Sequence, residues 1–357
     1  MKNRLLILLV SICILGCNSD NSENPEIPNE SIYFPPNNSS NWETITPTDL
    51  NWKEGEIAPL LEFVGNSNSK AFIILHKGRI GLEWYSDDFS GSQKWYWASA
   101  GKTLTAAMLG IAQQEGFLEI DDQSNLYLGN GWTDATQEQE DRITIFNQLT
   151  MTSGLNDLIF DCTDPNCLKY KTDPMSKWAY HNGPYTLLQN VLSNAAGTTY
   201  DSYFNTKLRD KIGMNGSWLS SNSYNSIYFS TARSMARFGL LALNKGTWNG
   251  EEIINPIYFD EMTTTSQNLN KSYGYLWWLN GKDSFMLPQI QTVFNQKLIP
   301  NAPDDLIAGL GKNDQKLYVI PSLDMVVIRM GEAATNDNLV PISFDNELWS
   351  YINKMID

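Results

Sequence analysis

Ser99-Ala100-Gly101-Lys102 stands between an aromatic run, Trp95-Tyr96-Trp97, and a clean helical pattern. Apolar residues recur at Leu104, Ala107, Met108, Ile111 and Ala112, which is helix spacing. Gly116 falls where such a helix ends. The spacing predicts Ser99 at a helix N-terminus with Lys102 one turn on, so that hydroxyl and amine share a face. A serine hydroxyl attacks poorly until a base takes its proton. A lysine does this when burial or a neighbouring cation leaves it neutral. A second Ser-x-x-Lys, Ser67-Asn68-Ser69-Lys70, is wholly polar and runs into a strand-like segment, so it reads as loop.

Outward from that stretch, the chain has 357 residues, 42% of them hydrophobic, ample for one large domain or two intertwined lobes. The net charge of −15 speaks against nucleic-acid binding and against adhesion to anionic headgroups. Residues 1–17 lie outside the expected fold. Lys2 and Arg4 form a basic start, and Leu5 to Leu15 an apolar stretch too short to span a bilayer. Ile14-Leu15-Gly16-Cys17 resembles the lipobox of bacterial lipoproteins, in which the Cys carries the lipid. An ordinary signal peptide with an incidental Cys is the alternative, and export to periplasm or cell surface follows either way. Residues 18–48, rich in Asn, Ser, Pro and Glu, read as a flexible tether, and the folded domain as 49–357.

Cys13 leaves with the signal, and Cys17 is the expected lipid site. Cys162 and Cys167 flank Pro165-Asn166, and in an exported chain this spacing suggests a disulfide. With only His76 and His181 in the chain, a metal site is not expected. Neither a Gly-rich phosphate loop nor a metal cluster is found, and no cofactor is expected.

Ala71–His76 and Arg79–Trp84 form a strand-turn-strand signal, and Gln315–Ile320 with Met325–Met330 a second. Ser230-Thr231 is placed to cap a helix over Ala232–Leu243, and Phe344–Ile356 reads as a closing helix. Residues 116–228 read as helix and loop. Together these predict an α/β (α+β) architecture: an antiparallel sheet built from both ends of the domain, flanked by helices, with a mainly helical lobe from the middle. Ser99 then falls between the lobes.

Two further stretches complete a constellation. Tyr180-His181-Asn182 lies within Trp178–Tyr185 and precedes Gly183-Pro184, and Gly309-Leu310-Gly311-Lys312-Asn313-Asp314-Gln315 stands at the entry to the last hairpin. Order, spacing and flanks resemble the serine β-lactamase and penicillin-binding protein superfamily. The nearer branch is that of class C β-lactamases, D-alanyl carboxypeptidases and related esterases. The resemblance extends to Leu149–Leu155, Ser230–Gly239, Tyr273–Trp278 and Tyr318–Asp324. It implies a β-lactamase/transpeptidase-like fold, Ser99 as acylated nucleophile, Lys102 as activator and Tyr180 as phenolate or proton relay. It implies that Asn182 steadies Lys102 and holds a substrate carbonyl. Lys312 would lower the pKa of Tyr180 or receive a substrate carboxylate, and the backbone N–H groups of Ser99 and Gln315 would form the oxyanion hole.

The third motif departs from the family pattern, with Asp314 where Gly is usual. A carboxylate there is expected to weaken handling of penicillins. No Gly-x-Ser-x-Gly elbow supports a Ser-His-Asp hydrolase; His76 reads as a core histidine, and His181 either faces the cleft or packs. The expectation is an exported, lipid-anchored serine hydrolase acting through an acyl-enzyme on a small-molecule or peptide ester or amide. The alternative is a non-catalytic or covalently trapped binder of cell-wall peptide or β-lactam on the same scaffold.

Overall fold

The computed structural model describes residues 31–221, 225–334 and 342–357. The signal segment, Cys17 and the first part of the expected tether lie outside the described residues.

Helix α1 (Glu54–Asn66) precedes the first hairpin, β1 (Ser69–His76) and β2 (Arg79–Tyr85). The short strand β3 (Trp95–Tyr96) leads into α2 (Lys102–Gln114). The middle holds α3 (Asn182–Ala196), the strand pair β4 (Ser217–Ser221) and β5 (Asn225–Ser230), and α4 (Ala232–Leu243). The chain closes through β6 (Trp278–Leu279), β7 (Ile307–Gly311), β8 (Gln315–Ile320), β9 (Met325–Gly331) and α5 (Ile342–Ile356).

The main sheet runs β2-β1-β9-β8-β7-β6, antiparallel throughout. β1 pairs directly with the C-terminal β9, setting Ile73 opposite Ile328 and Ile74 opposite Val327. Both ends of the domain thus build one sheet, as expected. Ala71 to Leu75 are all buried because both sheet faces are covered. Side chains alternate along each strand. Lys316, Tyr318 and Arg329 meet Phe344, Asp345 and Trp349 of α5. Leu317 and Val326 point the other way, to α4. There Gly239 lets the helix lie close: a Cβ would stand 2.5 Å from Val326. Each fully buried Ile or Val contributes roughly 1.5–3 kcal/mol.

Thr231 caps α4 as expected, accepting from the Ser234 N–H at 3.3 Å. Two boundaries need correcting. The lobe read as helix and loop over 116–228 ends in β4 and β5, which join β3 in a three-stranded sheet. These strands are rich in Ser and Asn, and they form because Tyr228 buries against Trp97 of the aromatic run before Ser99 while Trp218 packs on Tyr228.

The tether expected to reach residue 48 is packed from Ile32 onward, in one compact unit with the rest of the domain. Tyr33 N–H donates to Lys77 C=O, and Ile45 N–H to Ile80 C=O. Buried Arg237 donates to the carbonyls of Pro35 and Pro36, at 3.2 and 2.8 Å. The polar composition of 31–48 hid these backbone contacts.

Candidate active site

Trp97 fixes the approach to Ser99. It is fully buried, its N–H donates to Tyr228 C=O at 2.8 Å, and its indole donates to Ser230 Oγ at 2.7 Å. Ala98 then takes a left-handed φ of 47°, a conformation that a non-Gly residue holds only under packing constraint. A 3-10 turn, Ala98–Gly101, carries Ser99 and runs directly into α2. Ser99 remains half-buried and reachable.

Lys102 lies 3.4 Å from the Ser99 hydroxyl, as the spacing predicts. Its amine is buried over the rings of Tyr185, at 3.9 Å, and Tyr180, at 5.2 Å. Burial lowers its pKa to about 7, against an opposing pull from Asp161. Tyr180 moves the other way. Burial raises its phenol well above 10, with Ser99 beside it opposing the rise. Tyr185, likewise buried, is pushed up to about 12. Burial thus favours the neutral phenol at Tyr180. Trp178, Tyr273 and Trp278 box it in, with ring centroids 6.2–6.3 Å away.

Asn182 opens α3, but no hydrogen bond joins it to Lys102. Its Nδ2 donates to Asp161 at 2.8 Å, while its buried Oδ1 has no partner among the described residues. The expectation that Asn182 steadies Lys102 is corrected: Asp161 has claimed the amide. His181 packs, with Nε2 3.0 Å from Ile159 C=O and burial lowering its pKa. Cys162 and Cys167 are bridged, as expected, and their loop carries Asp161 against this motif. At Gly183 a Cβ would stand 2.3 Å from Cys162 C=O.

The third motif differs most from expectation. Lys312 is exposed at the β7–β8 turn, and neither Lys102 nor Tyr180 is shifted by it. It does not lower the Tyr180 pKa as expected. Asp314 does not point its charge at the site. Its carboxylate pairs with buried Lys316 at 3.1 Å and accepts from Ala334 N–H at 2.9 Å. Arg329 clamps the turn through the carbonyls of Asn313 and Asp314, and Asn313 donates to the Tyr96 hydroxyl at 2.7 Å.

Gln315 is fully buried, its side chain bound to the carbonyls of Lys312, Asn313 and Gly331. Its backbone faces Gly311 across the hairpin. Asn280 N–H donates to Leu306 C=O, so Leu306, Ala308 and Leu310 turn their polar backbone toward the β6 side. Gly309 and Gly311 pair with β8, which occupies the Gln315 N–H. β6 stops opposite Ala308, leaving the Leu310 N–H on an open edge. Gly311 lies tight against the Ser99 turn: a Cβ would stand 2.4 Å from Trp97 C=O and 3.1 Å from Ala100 N. The backbone N–H left open beside the Ser99 turn is thus that of Leu310, not that of Gln315.

The rival Ser67 bonds Phe63 C=O at 2.8 Å at the end of α1, and Lys70 pairs with Asp88. No helix joins them to a cleft. No role was expected of Asp161, Tyr185 or Leu310, although Asp161 stands beside Cys162, and Tyr185 and Leu310 lie within the second and third stretches.

A family model described as Beta-lactamase matches residues 69–296. No curated protein matches the chain in sequence. Among solved structures, a Bacillus anthracis protein named as a 6-aminohexanoate-dimer hydrolase is 19% identical with a TM-score of 0.68, covering 90% of this chain and 89% of its own. A penicillin binding protein from Bacillus halodurans is 14% identical with a TM-score of 0.60, covering 82% and 99%. A family VIII carboxylesterase is 12% identical with a TM-score of 0.62, covering 84% and 97%. At these identities the likeness establishes the fold alone.

Proposed function

Since this chain belongs to the beta-lactamase family, we propose that it is a serine hydrolase that cleaves an ester or amide through an acyl-enzyme on Ser99. The observation that carries this is the Lys102 amine, 3.4 Å from the Ser99 hydroxyl and brought by burial to about pKa 7. A neutral fraction of Lys102 then exists at neutral pH and accepts the hydroxyl proton.

Ser99 Oγ attacks the carbonyl carbon, and the carbonyl electron pair moves to oxygen. The N–H groups of Ser99 and Leu310 are the donors proposed for that oxyanion. As the tetrahedral species collapses, the bond to the leaving group breaks. The leaving atom takes a proton from the Tyr180 hydroxyl, which Lys102 resupplies. Water then attacks the acyl carbon, with Lys102 again taking the proton, and Ser99 is restored.

The N-terminus adds a proposal on location. Residues 1–17 act as a lipoprotein signal, so that the mature chain is exported and held to a membrane through Cys17. Replacing Cys17 with Ser should release the protein from membranes and abolish its labelling by a fatty-acid analogue.

The test of catalysis is reaction with a fluorophosphonate followed by peptide mapping. The adduct should map to Ser99 and vanish in Ser99→Ala, while Ser67→Ala should leave it unchanged. An adduct on another serine, or one still forming in Ser99→Ala, would overturn this reading.

A further inference from the structure

Asp161, directly before the Cys162–Cys167 bridge, brings a carboxylate to the candidate site. Asp161 is exposed, yet one of its oxygens accepts from Asn182 Nδ2 at 2.8 Å. Its charge reaches the Lys102 amine. The loop is pinned on both sides of it. Ile159 C=O meets His181 Nε2 at 3.0 Å, and the Cys162 backbone packs against Gly183. The Phe160 ring stacks 6.3 Å from that of Tyr180. Asp161 is thus held in place beside the reacting groups.

Beyond Lys102, no lysine or arginine forms an ion pair with it among the described residues. Lys312 stands exposed on the β7–β8 turn, and Lys177, the charged neighbour of His181, is paired with Asp157. Arg329 and Lys316 are buried in the clamp behind the turn, bound to backbone carbonyls and to Asp314 and Asp345. Leu158 and Ile159, on the same loop, are exposed. Apolar surface therefore adjoins the carboxylate.

We propose that Asp161 sets substrate choice by charge. The site takes esters or amides that carry a cationic group, such as a protonated amine, on a short apolar arm, and it turns away substrates that carry a carboxylate. This rests on the hydrolase reading above. A cation meets the free oxygen of Asp161, with Asn182 keeping the carboxylate aimed. A substrate carboxylate meets like charge, and a unit-charge contact of a few Å in a partly wet site is worth about tenfold in rate. The reaction itself is unchanged: Asp161 touches the substrate away from the bond that breaks.

The experiment uses three 4-nitrophenyl esters of one linear acyl chain, ended by trimethylammonium, tert-butyl or carboxylate. In the wild type, kcat/KM should fall about tenfold at each step from cation to neutral to anion. The spread should narrow as salt is raised. In Asp161→Asn the three rates should come within about twofold of one another, and in Asp161→Lys the order should reverse. The ratio within each variant is the readout, so a change in overall rate does not mask it.

Asp164→Asn removes one charge from the same loop at an exposed position and should keep the wild-type order. A flat series in the wild type, or a cation preference that persists in Asp161→Asn, overturns the role of Asp161 while the hydrolase reading stands. The persistent preference would instead belong to the net charge of −15. No turnover of any ester together with no fluorophosphonate adduct on Ser99 overturns the hydrolase reading, and this inference with it.

Discussion

Burial acts with opposite sign on an amine and a phenol, because it penalises whichever form is charged. Lys102 and Tyr180 share one aromatic box, and the first is pulled down to about 7 while the second is driven up. The family resemblance left the base open between them; burial favours Lys102 as proton acceptor and Tyr180 as donor in the mechanism proposed above. For a neutral ester, kcat/KM should therefore rise with pH through a midpoint near 7. Asp161 holds the Lys102 pKa up, so Asp161→Asn should move that midpoint lower. A pH–rate profile from pH 5 to 9 on both proteins checks this, and a midpoint that rises in the variant would count against it. Stability follows the same linkage. The folded pKa lies below the ordinary lysine value of 10.5, so burying Lys102 costs most below about pH 7, and the cost fades as pH climbs toward 10.5.

Strand β7 has a different task from the one its neighbouring turn suggested. The turn at Lys312 is held by Arg329, Asp314 and Gln315, whose polar groups are spent on one another and on backbone. What reaches the Ser99 turn is the strand itself, at Gly309 and Gly311. Gly311 has an ordinary extended φ of −125°, so its lack of a side chain matters only for closeness. In Gly311→Ala the new methyl would meet Trp97 C=O at 2.4 Å and push this end of β7 away from Ser99. Loss of one oxyanion donor costs on the order of 10²–10³ in kcat. Gly311→Ala should lose at least about tenfold in kcat on a neutral ester while unfolding cooperatively. Steady-state kinetics beside a thermal melt separate the two effects, and full activity in the variant would remove Leu310 from the oxyanion site.

At the scale of the whole molecule, the domain begins earlier than its composition suggests. Arg237 is 5% exposed, and burial brings its pKa down to about 10. Its guanidinium is satisfied by the carbonyls of Pro35, Pro36 and Ile212, two of them from the segment before residue 49. The same segment places Phe34 against Trp248, ring centroids 5.0 Å apart, and Asn37 Oδ1 3.0 Å from the Trp248 indole. A buried polar group left without its partner costs about 1–3 kcal/mol, more when charged. A chain begun at residue 49 should be less stable than one begun at residue 31 by roughly 3 kcal/mol or more. Denaturant unfolding of the two chains measures the difference, and equal midpoints would restore the tether reading for residues 31–48.

Local features were legible in the sequence alone because their physics is local. The three-residue step from Ser99 to Lys102, the Thr231 cap, the apolar runs of β1, β8 and β9 and the short Cys162–Cys167 loop each depend on neighbours within a turn or a hairpin. Chain order also carried the family motifs, and with them the fold. The polar roles were decided only by tertiary structure. Lys316 and Asp345 lie 29 residues apart, Arg329 and Ser69 260, and Arg237 and Pro36 201, and no window of sequence holds both partners. Asp314 reads as a charge in the site until Lys316 and the Ala334 N–H absorb it, and Gln315 reads as an oxyanion donor until the ladder pairs it with Gly311. A charge or an N–H can serve a substrate only when nothing else in the fold has taken it, and that remainder is fixed by long-range packing. Asp161 keeps an oxygen for solvent, and Leu310 lies on the one stretch of β7 that β6 does not cover.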